Sequence, residues 1–371
     1  MGVPRARWHW MRIPEMRSTA FLFSSGRRER LQGGRPTEFL YGYAELARDG
    51  RPVAMFEEED LGAGRRWPKV FEAVSARIAG LSGVSPRLAT SLIKAIKGQL
   101  APYEVLIATT QSIGLALAAL KALGYHDKHI VVMTMGLLEA DAAAWRRAIH
   151  RRVLRGCTLA ALSKPEAQSV RSWAGDRIDI HDFTFGIDLK FWTPANTAAR
   201  CDEILSIGND RARDYGTLLA AWRPTFPKLT IITSLPISTD LPNVVIERGD
   251  WRGVAISDCD LRSRFQNARF IVTPLLDTLQ PSGQSATLQA MACGRPVIIS
   301  SNLGLWDPEL MQSGICRLVP PGDTAAMMSA IEDMLARPES AEAMGAAARA
   351  AMLGHDVSTE VMARQIEWLA G

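Results

Sequence analysis

The chain has 371 residues, with 43 Lys and Arg against 39 Asp and Glu, a net charge of +4. At roughly 100–200 residues per domain this length predicts two domains, each able to bury its own core. The charge is too mild for a nucleic-acid-binding footprint, and no nucleic-acid partner is expected. Cys157, Cys201, Cys259, Cys293 and Cys316 form no C-x-x-C pair, so neither a disulfide framework nor a structural zinc site is expected. That usage fits a reducing, cytoplasmic setting. No apolar run approaches the roughly 18 residues of a membrane span. The opening MGVPRARWHWMRIPEMRS lacks an apolar h-region, and Ala6 breaks the N-myristoylation pattern.

Residues 1–17 read as an irregular basic arm. STAFLFS (18–24) is a buried strand, followed by a loop holding Gly33 and Gly34. TEFLYGYAELARDG predicts one helix, with Phe39, Leu40, Tyr43 and Leu46 on one face and Gly50 closing it. PVAMFEE is the next strand. VLIATT (105–110), HIVVMTM (129–135), TLAALS (158–163) and IDIHDFTFG (178–186) continue the strands. Between them, SIGLALAALKALG, LLEADAAAWRRAIHRRVLRG and a segment from Pro165 are helical. The loop GIDLKFWTPANTAARCD then breaks the pattern, and a domain boundary is placed there. A second βα series runs from EILSIG through PVIIS, and the remainder is helical. Near-continuous apolar strands alternating with helices predict α/β, doubly wound sheets covered on both faces.

Two segments combine the residue types that phosphate binding needs. PSGQSATLQAMACGRPV (281–297) follows a strand and opens a helix, with Ser282, Gly283, Gln284 and Ser285 at its start. A helix N-terminus offers unpaired N–H groups and the positive end of a dipole; an ordinary Ser cap is the plainer alternative. SIGNDRARDYGTLL (206–219) ends a strand at Gly208 and places Asn209, Arg211 and Arg213 before a helix. Arg suits bidentate pairing with a diphosphate, and a solvated charged turn is the alternative.

With four ordered matches, the chain from about 18 to 371 resembles a retaining glycosyltransferase of the GT-B fold, family four. FGIDLKFWTP (185–194) is similar to the family's interdomain signature, and ILSIGNDRARDYGTLLAAW to its first donor-domain element. ARFIVTPLLDTLQPSGQSATLQAMACGRPVI resembles its donor-binding core, and LVPPGDTAAMMSAIEDML its closing element. The resemblance implies two Rossmann-like domains facing a central cleft. These are an acceptor domain over 18–190, a donor-binding domain over 195–354, and a last helix over 355–371 crossing back. It implies a nucleotide-diphosphate sugar as donor and retention of configuration. The acceptor is a polysaccharide, a lipid-linked sugar or another group. No cofactor and no metal are expected. Donor-binding residues are Gly208, Asn209, Arg211, Arg213, Ser282, Gly283, Gln284, Ser285 and Gln289; Arg211, Arg213 and Gln289 carry the catalytic roles. Gly33, Gly34 and Met135 border the acceptor side. The family has two Glu eight residues apart, where this chain has Pro281 and Gln289, and a His where it has Met135. A degenerate, non-catalytic sugar-nucleotide-binding subunit is the alternative.

Other signals are weighed against plainer readings. Asp258-Cys259-Asp260 has the D-x-D form of a metal motif, but its place before LRSRFQNA favours helix capping. Glu57-Glu58-Glu59-Asp60 reads as a solvated loop, with acceptor contact as the alternative. WRRAIHRRVLR (145–155) holds five Arg and no acid. Packing its apolar side on the sheet is preferred to peripheral contact with an anionic membrane at its inner face. Residues 1–35 carry eight Arg and two Glu, so the first half is basic, matched to an anionic or membrane-bound acceptor.

Overall fold

The computed structural model describes residues 15–62, 67–139, 141–195, 202–249 and 256–371. Most of the basic arm, the end of the interdomain loop and Cys201 lie outside them. The described residues divide into two α/β units: one holds the chain up to Gly186 together with Thr359–Gly371, the other Ile187–Ser358.

The first unit runs β1 (Thr19–Phe23), α1 (Arg27–Gln32), α2 (Tyr43–Arg48), β2 (Val53–Glu57), α3 (Lys69–Ser82) and α4 (Pro86–Lys97). It continues with β3 (Val105–Ala108), α5 (Gln111–Ala122), β4 (His129–Thr134), α6 (Ala144–Val153), β5 (Thr158–Ala161), α7 (Lys164–Ala174) and β6 (Asp179–Asp182). Its strands pair in the order β2-β1-β3-β4-β5-β6, every pair parallel. Residues of β1 and β3 are buried throughout, as strands covered on both faces require.

The second unit runs β7 (Glu203–Ile207), α8 (Tyr215–Ala221), β8 (Lys228–Ile232), β9 (Val244–Glu247), α9 (Asp258–Asn267) and β10 (Ile271–Thr273). Then come α10 (Gln284–Ala292), β11 (Val297–Ser300), β12 (Arg317–Val319), α11 (Thr324–Ala336) and α12 (Pro338–Gly354). The parallel order is β12-β11-β10-β7-β8-β9. The chain winds from β7 outward through β8 and β9, then returns to β10 on the other side of β7. The direction of winding therefore reverses between β7 and β10. In open α/β sheets that reversal leaves a crevice at the carboxyl ends of the strands, where ligands bind. The interdomain signature anchors here: Trp192 is fully buried, edge-on to Phe265 at 5.9 Å. Arg349 of α12 donates to the carbonyls of Trp192 (3.1 Å) and Ala292 (2.9 Å).

The last helix, α13 (Thr359–Ala370), packs on α2 in the first unit. Gln365 clamps the backbone of Thr184, accepting from its N–H (2.9 Å) and donating to its carbonyl (3.1 Å). Glu367 pairs with Arg51.

Three elements differ from the sequence reading. The helix predicted over 37–50 breaks into a 3-10 turn (Glu38–Leu40) and α2, with Tyr41 (φ 51°) and Gly42 (φ 86°) left-handed between them. The break brings Gly42 against α13, where a Cβ would sit 2.5 Å from the Ala363 nitrogen. The long helix predicted from Leu137 starts only at Ala144, because Leu137 and Leu138 are drawn into the core. The segment before α11 contains a strand, β12, at the sheet edge.

Gly42→Ala meets both a strained φ and backbone it cannot displace, so its expected cost is several kcal/mol, roughly 2–4. Gly50 also has positive φ (71°) but nothing within 4 Å of an added Cβ, so Gly50→Ala is expected to cost only about 1 kcal/mol. Denaturant unfolding of both variants checks the difference; equal losses contradict the contact.

Candidate functional site

At the β7/β10 reversal, the chain leaving β7 folds back on the chain leaving β10. Asp214 N–H donates to the Pro274 carbonyl (3.1 Å), and Leu276 N–H to the Ala212 carbonyl (2.8 Å). The Leu275 N–H is held by Ser300 Oγ at the end of β11 (2.9 Å). Asp214 then caps α8, accepting from Thr217 N–H (3.0 Å). These bonds hold the 208–214 segment against the 274–276 segment.

Between them lies Arg213, its side chain 3% exposed. Its Nε donates to Asp210 Oδ2 at 2.8 Å. Its Nη1 is buried and has no hydrogen-bond partner in the protein. The guanidinium lies against Gly208, where an added Cβ would collide with it. It also borders Gly283, whose added Cβ would stand 3.2 Å from Nη1. Two glycines thus make room for one cation.

Gly283 is the N-cap of α10, with φ 76° and no side chain capping the helix. The first amides of α10 therefore start beside the Arg213 guanidinium. Ser282 is 3% exposed, and its Oγ is likewise buried without a partner. Thr273 and Thr287 side chains hydrogen-bond at 3.1 Å and tie the first turn of α10 to β10. A buried cation with a spare N–H, an unpaired hydroxyl and an uncapped helix N-terminus together suit an oxyanion, best a phosphate.

The structure thus brings Gly208, Arg213 and Gly283 together, with Ser282 beside them in the chain. Gln284 and Gln289 are buried on α10, and Ser285 is half-buried. Arg211 points to solvent. Asn209 has its amide committed, donating to the Gly249 carbonyl (3.0 Å) and accepting from Ser234 N–H (2.6 Å). Its visible work is to tie the ends of β7, β8 and β9 together. The residue that sequence reasoning missed is Asp210. Its signal was the D-x-x-R spacing that closes the ion pair within one turn.

The first unit holds the other candidate residues. Gly33 and Gly34 are exposed after α1, and Gly34 has φ 60°. Met135 follows β4, its Sδ 4.0 Å from the Tyr41 hydroxyl. The acidic run is exposed at Glu59 and Asp60, as a solvated loop predicts, but not at Glu57. Glu57 is 8% exposed, and its Oε1 accepts from the N–H groups of Arg27 and Arg28 (2.9 Å), capping α1 from β2. Asp60 pairs with Arg28 at 2.6 Å and holds the arginine above its ordinary pKa. Asp258 and Asp260 lie in the first turn of α9, whose cap Ser257 accepts from Asp260 N–H (3.0 Å). Beside Met135, the buried Glu166 Oε1 accepts from the N–H groups of Gly136 (2.9 Å) and Leu137 (2.7 Å). Burial raises its carboxyl from 4.5 to about 7, against the pull of those two amides.

Residues 230–337 match a family model described as glycosyl transferases group 1. No curated protein matches the sequence. Among solved structures, a glycosyltransferase from Rickettsia africae is similar with a TM-score of 0.65 at 13% identity, over 94% of this chain and 97% of that one. HepE of Anabaena, solved with UDP and glucose, is similar with a TM-score of 0.63 at 14% identity, over 94% and 98%. The pneumococcal O-GlcNAc transferase GtfA, solved with UDP and GlcNAc, gives 0.54 at 11% identity, over 75% of this chain and 59% of that one. At these identities the likeness is one of fold: the chain has the two-unit α/β architecture of GT-B proteins.

Glu166 predicts a pH dependence. Its folded pKa lies above the unfolded value, so its stabilising effect is complete below about pH 4.5 and is lost as pH rises through about 7. The loss is on the order of 3 kcal/mol. Glu166→Gln keeps an acceptor for both amides and cannot titrate. Urea unfolding at about pH 5 and pH 7.5 should show a smaller difference for the variant than for the wild type; identical differences contradict the assignment.

Proposed function

We propose that the chain is a glycosyltransferase, of the hexosyltransferase type (EC 2.4), that moves a sugar from a nucleoside-diphosphate sugar to an acceptor. The observation that carries this reading is the buried, unpartnered Nη1 of Arg213 beside Gly283 at the uncapped start of α10. The group 1 match over 230–337 supports it, since that stretch contains Ser282 through Gln289. In this reading the second unit binds the donor and the first borders the acceptor.

Sugar transfer breaks the bond between the anomeric carbon and a diphosphate oxygen. Negative charge grows on that leaving oxygen. Arg213 and the amides of α10 would meet it already oriented, which is where preorganised charge lowers a barrier most. Asp210 holds the guanidinium in place through Nε and leaves Nη1 for the phosphate. Ser282 would donate its hydroxyl to a second phosphate oxygen. Gln289 would hydrogen-bond the ribose or the sugar, and Arg211, in solvent, would flank the diphosphate. The positive charge needed comes from protein groups, so no metal is invoked. Retention of configuration follows from the family-four resemblance, and a lipid-linked sugar or polysaccharide is the acceptor class it suggests. Because solved neighbours of this fold hold UDP, uridine nucleotides are the first donors to test.

A second reading is a subunit that binds a sugar nucleotide without turnover. Pro281 and Gln289 favour it, because no carboxylate stands where the family has its Glu pair. Transfer assays with UDP-sugars and lipid-linked or oligosaccharide acceptors separate the two. The enzyme reading expects transfer that Arg213→Ala lowers by roughly 10²–10³ in kcat/KM. It also expects Gly283→Val to weaken UDP binding at least about tenfold, since a side chain there strains the positive φ and crowds Thr273 and Nη1. Binding without transfer to any acceptor supports the subunit, and unchanged binding in Gly283→Val overturns the site.

A further inference from the structure

Helix α3 is turned the wrong way for an ordinary surface helix. Val70, Val74, Ile78 and Leu81 are 77%, 51%, 42% and 55% exposed. At 100° per residue they fall within an arc of about 80°, a single apolar stripe along the helix. The inward side is narrow and mixed, with Phe71 and Ala79 half-buried beside polar groups. Ser75 is buried there, its Oγ accepting from Arg87 N–H (2.9 Å), and Glu72 faces Arg87 at 3.8 Å. A surface helix normally buries its apolar stripe, and scattered exposed apolar residues would need no account; four in one line do.

Helix α6 lies alongside. The buried His150 ring meets the Ser82 carbonyl at the end of α3 through Nε2 (2.8 Å). Ile149 and Val153 are half-buried, with Val153 on the core of the unit, so α6 has little free apolar surface of its own. What it turns outward is Trp145, 49% exposed, with Arg152; Arg155, just past its end, is exposed too, while Arg151 Nε donates to the Trp173 carbonyl (2.7 Å). On α3, Lys69 and Arg77 are exposed. Glu72 is the one acid in 69–82 and is turned to Arg87; residues 144–155 hold none. The acids Glu139 and Asp141 stop short of the first turn of α6.

We propose that α3 and α6 together form a docking face for the surface of an anionic lipid bilayer. The stripe on α3 supplies the aliphatic side chains that enter the acyl boundary. Trp145 suits the headgroup level, and the arginines of α6 meet lipid phosphates. Charge argues against a second copy of this chain as the occupant. A two-fold contact would set the same basic residues against themselves. The proposal does not depend on the transfer activity, because it is read without nucleotide.

The test is co-sedimentation of the full chain with phosphatidylcholine vesicles, with and without phosphatidylglycerol. Binding is expected only when phosphatidylglycerol is present, and it should weaken in high salt. Val74→Glu/Ile78→Glu is expected to lower the apparent affinity at least about tenfold with no change in unfolding temperature. Arg152→Glu/Arg155→Glu, at the end of the neighbouring helix, should act in the same direction and serves if the first pair disturbs folding. Equal sedimentation with both vesicle types, or unchanged binding by both variants, overturns the proposal. So does a dimer in light scattering that the Val74→Glu/Ile78→Glu pair dissociates, which would make this face an interface between copies.

Discussion

A guanidinium taken out of water with a single carboxylate for company is the constraint on which the second unit is built. Burying a charge costs several kcal/mol unless its hydrogen-bonding groups are met. At Arg213 the Nε is met by Asp210, and the Nη1 is not met. The surrounding chain is shaped to keep it so. Gly208 and Gly283 withhold the side chains that would occupy its place, and the 212–214 and 274–276 backbones bond to each other around it. The start of α10, uncapped, adds more positive potential to the same spot. A fold that sought only stability would fill or neutralise such a position. An anion that arrives from outside resolves it, and a nucleoside diphosphate is the one proposed.

Much of this was legible in the sequence because the features are local. Strands such as VLIA and VIIS are buried on both faces and read as continuous apolar runs. Gly208, Arg213 and Gly283 stood out as small and cationic residues at strand ends. Their meeting did not, because it depends on where the sheet order reverses. Asp210 was hidden for the same reason, since its role appears only once Arg213 turns inward. Asn209 shows the opposite case: an amide in the same loop whose hydrogen bonds go to backbone.

The first unit was harder to read because tertiary contacts override local pattern. The 37–50 segment has a helical period, yet the close approach of α13 at Gly42 forces a break. Glu57 through Asp60 look solvated in one dimension, whereas in three Glu57 caps α1 and Asp60 neutralises Arg28. The charge of Arg28 is thus answered within the unit. Exposed arginines, Arg152 and Arg155 among them, lie at α6 beside the exposed stripe of α3. That stripe drew no notice in the sequence, because a period of apolar residues does not say which way a helix is turned.

The central claim, that Arg213 Nη1 and the start of α10 form an oxyanion site for a nucleoside diphosphate, is tested most directly by a crystal structure of the chain with UDP. The expected result is a diphosphate oxygen within hydrogen-bond distance of Nη1 and of an amide in the first turn of α10, with the Asp210–Arg213 pair intact. UDP held elsewhere, with Nη1 still without a partner, would contradict it.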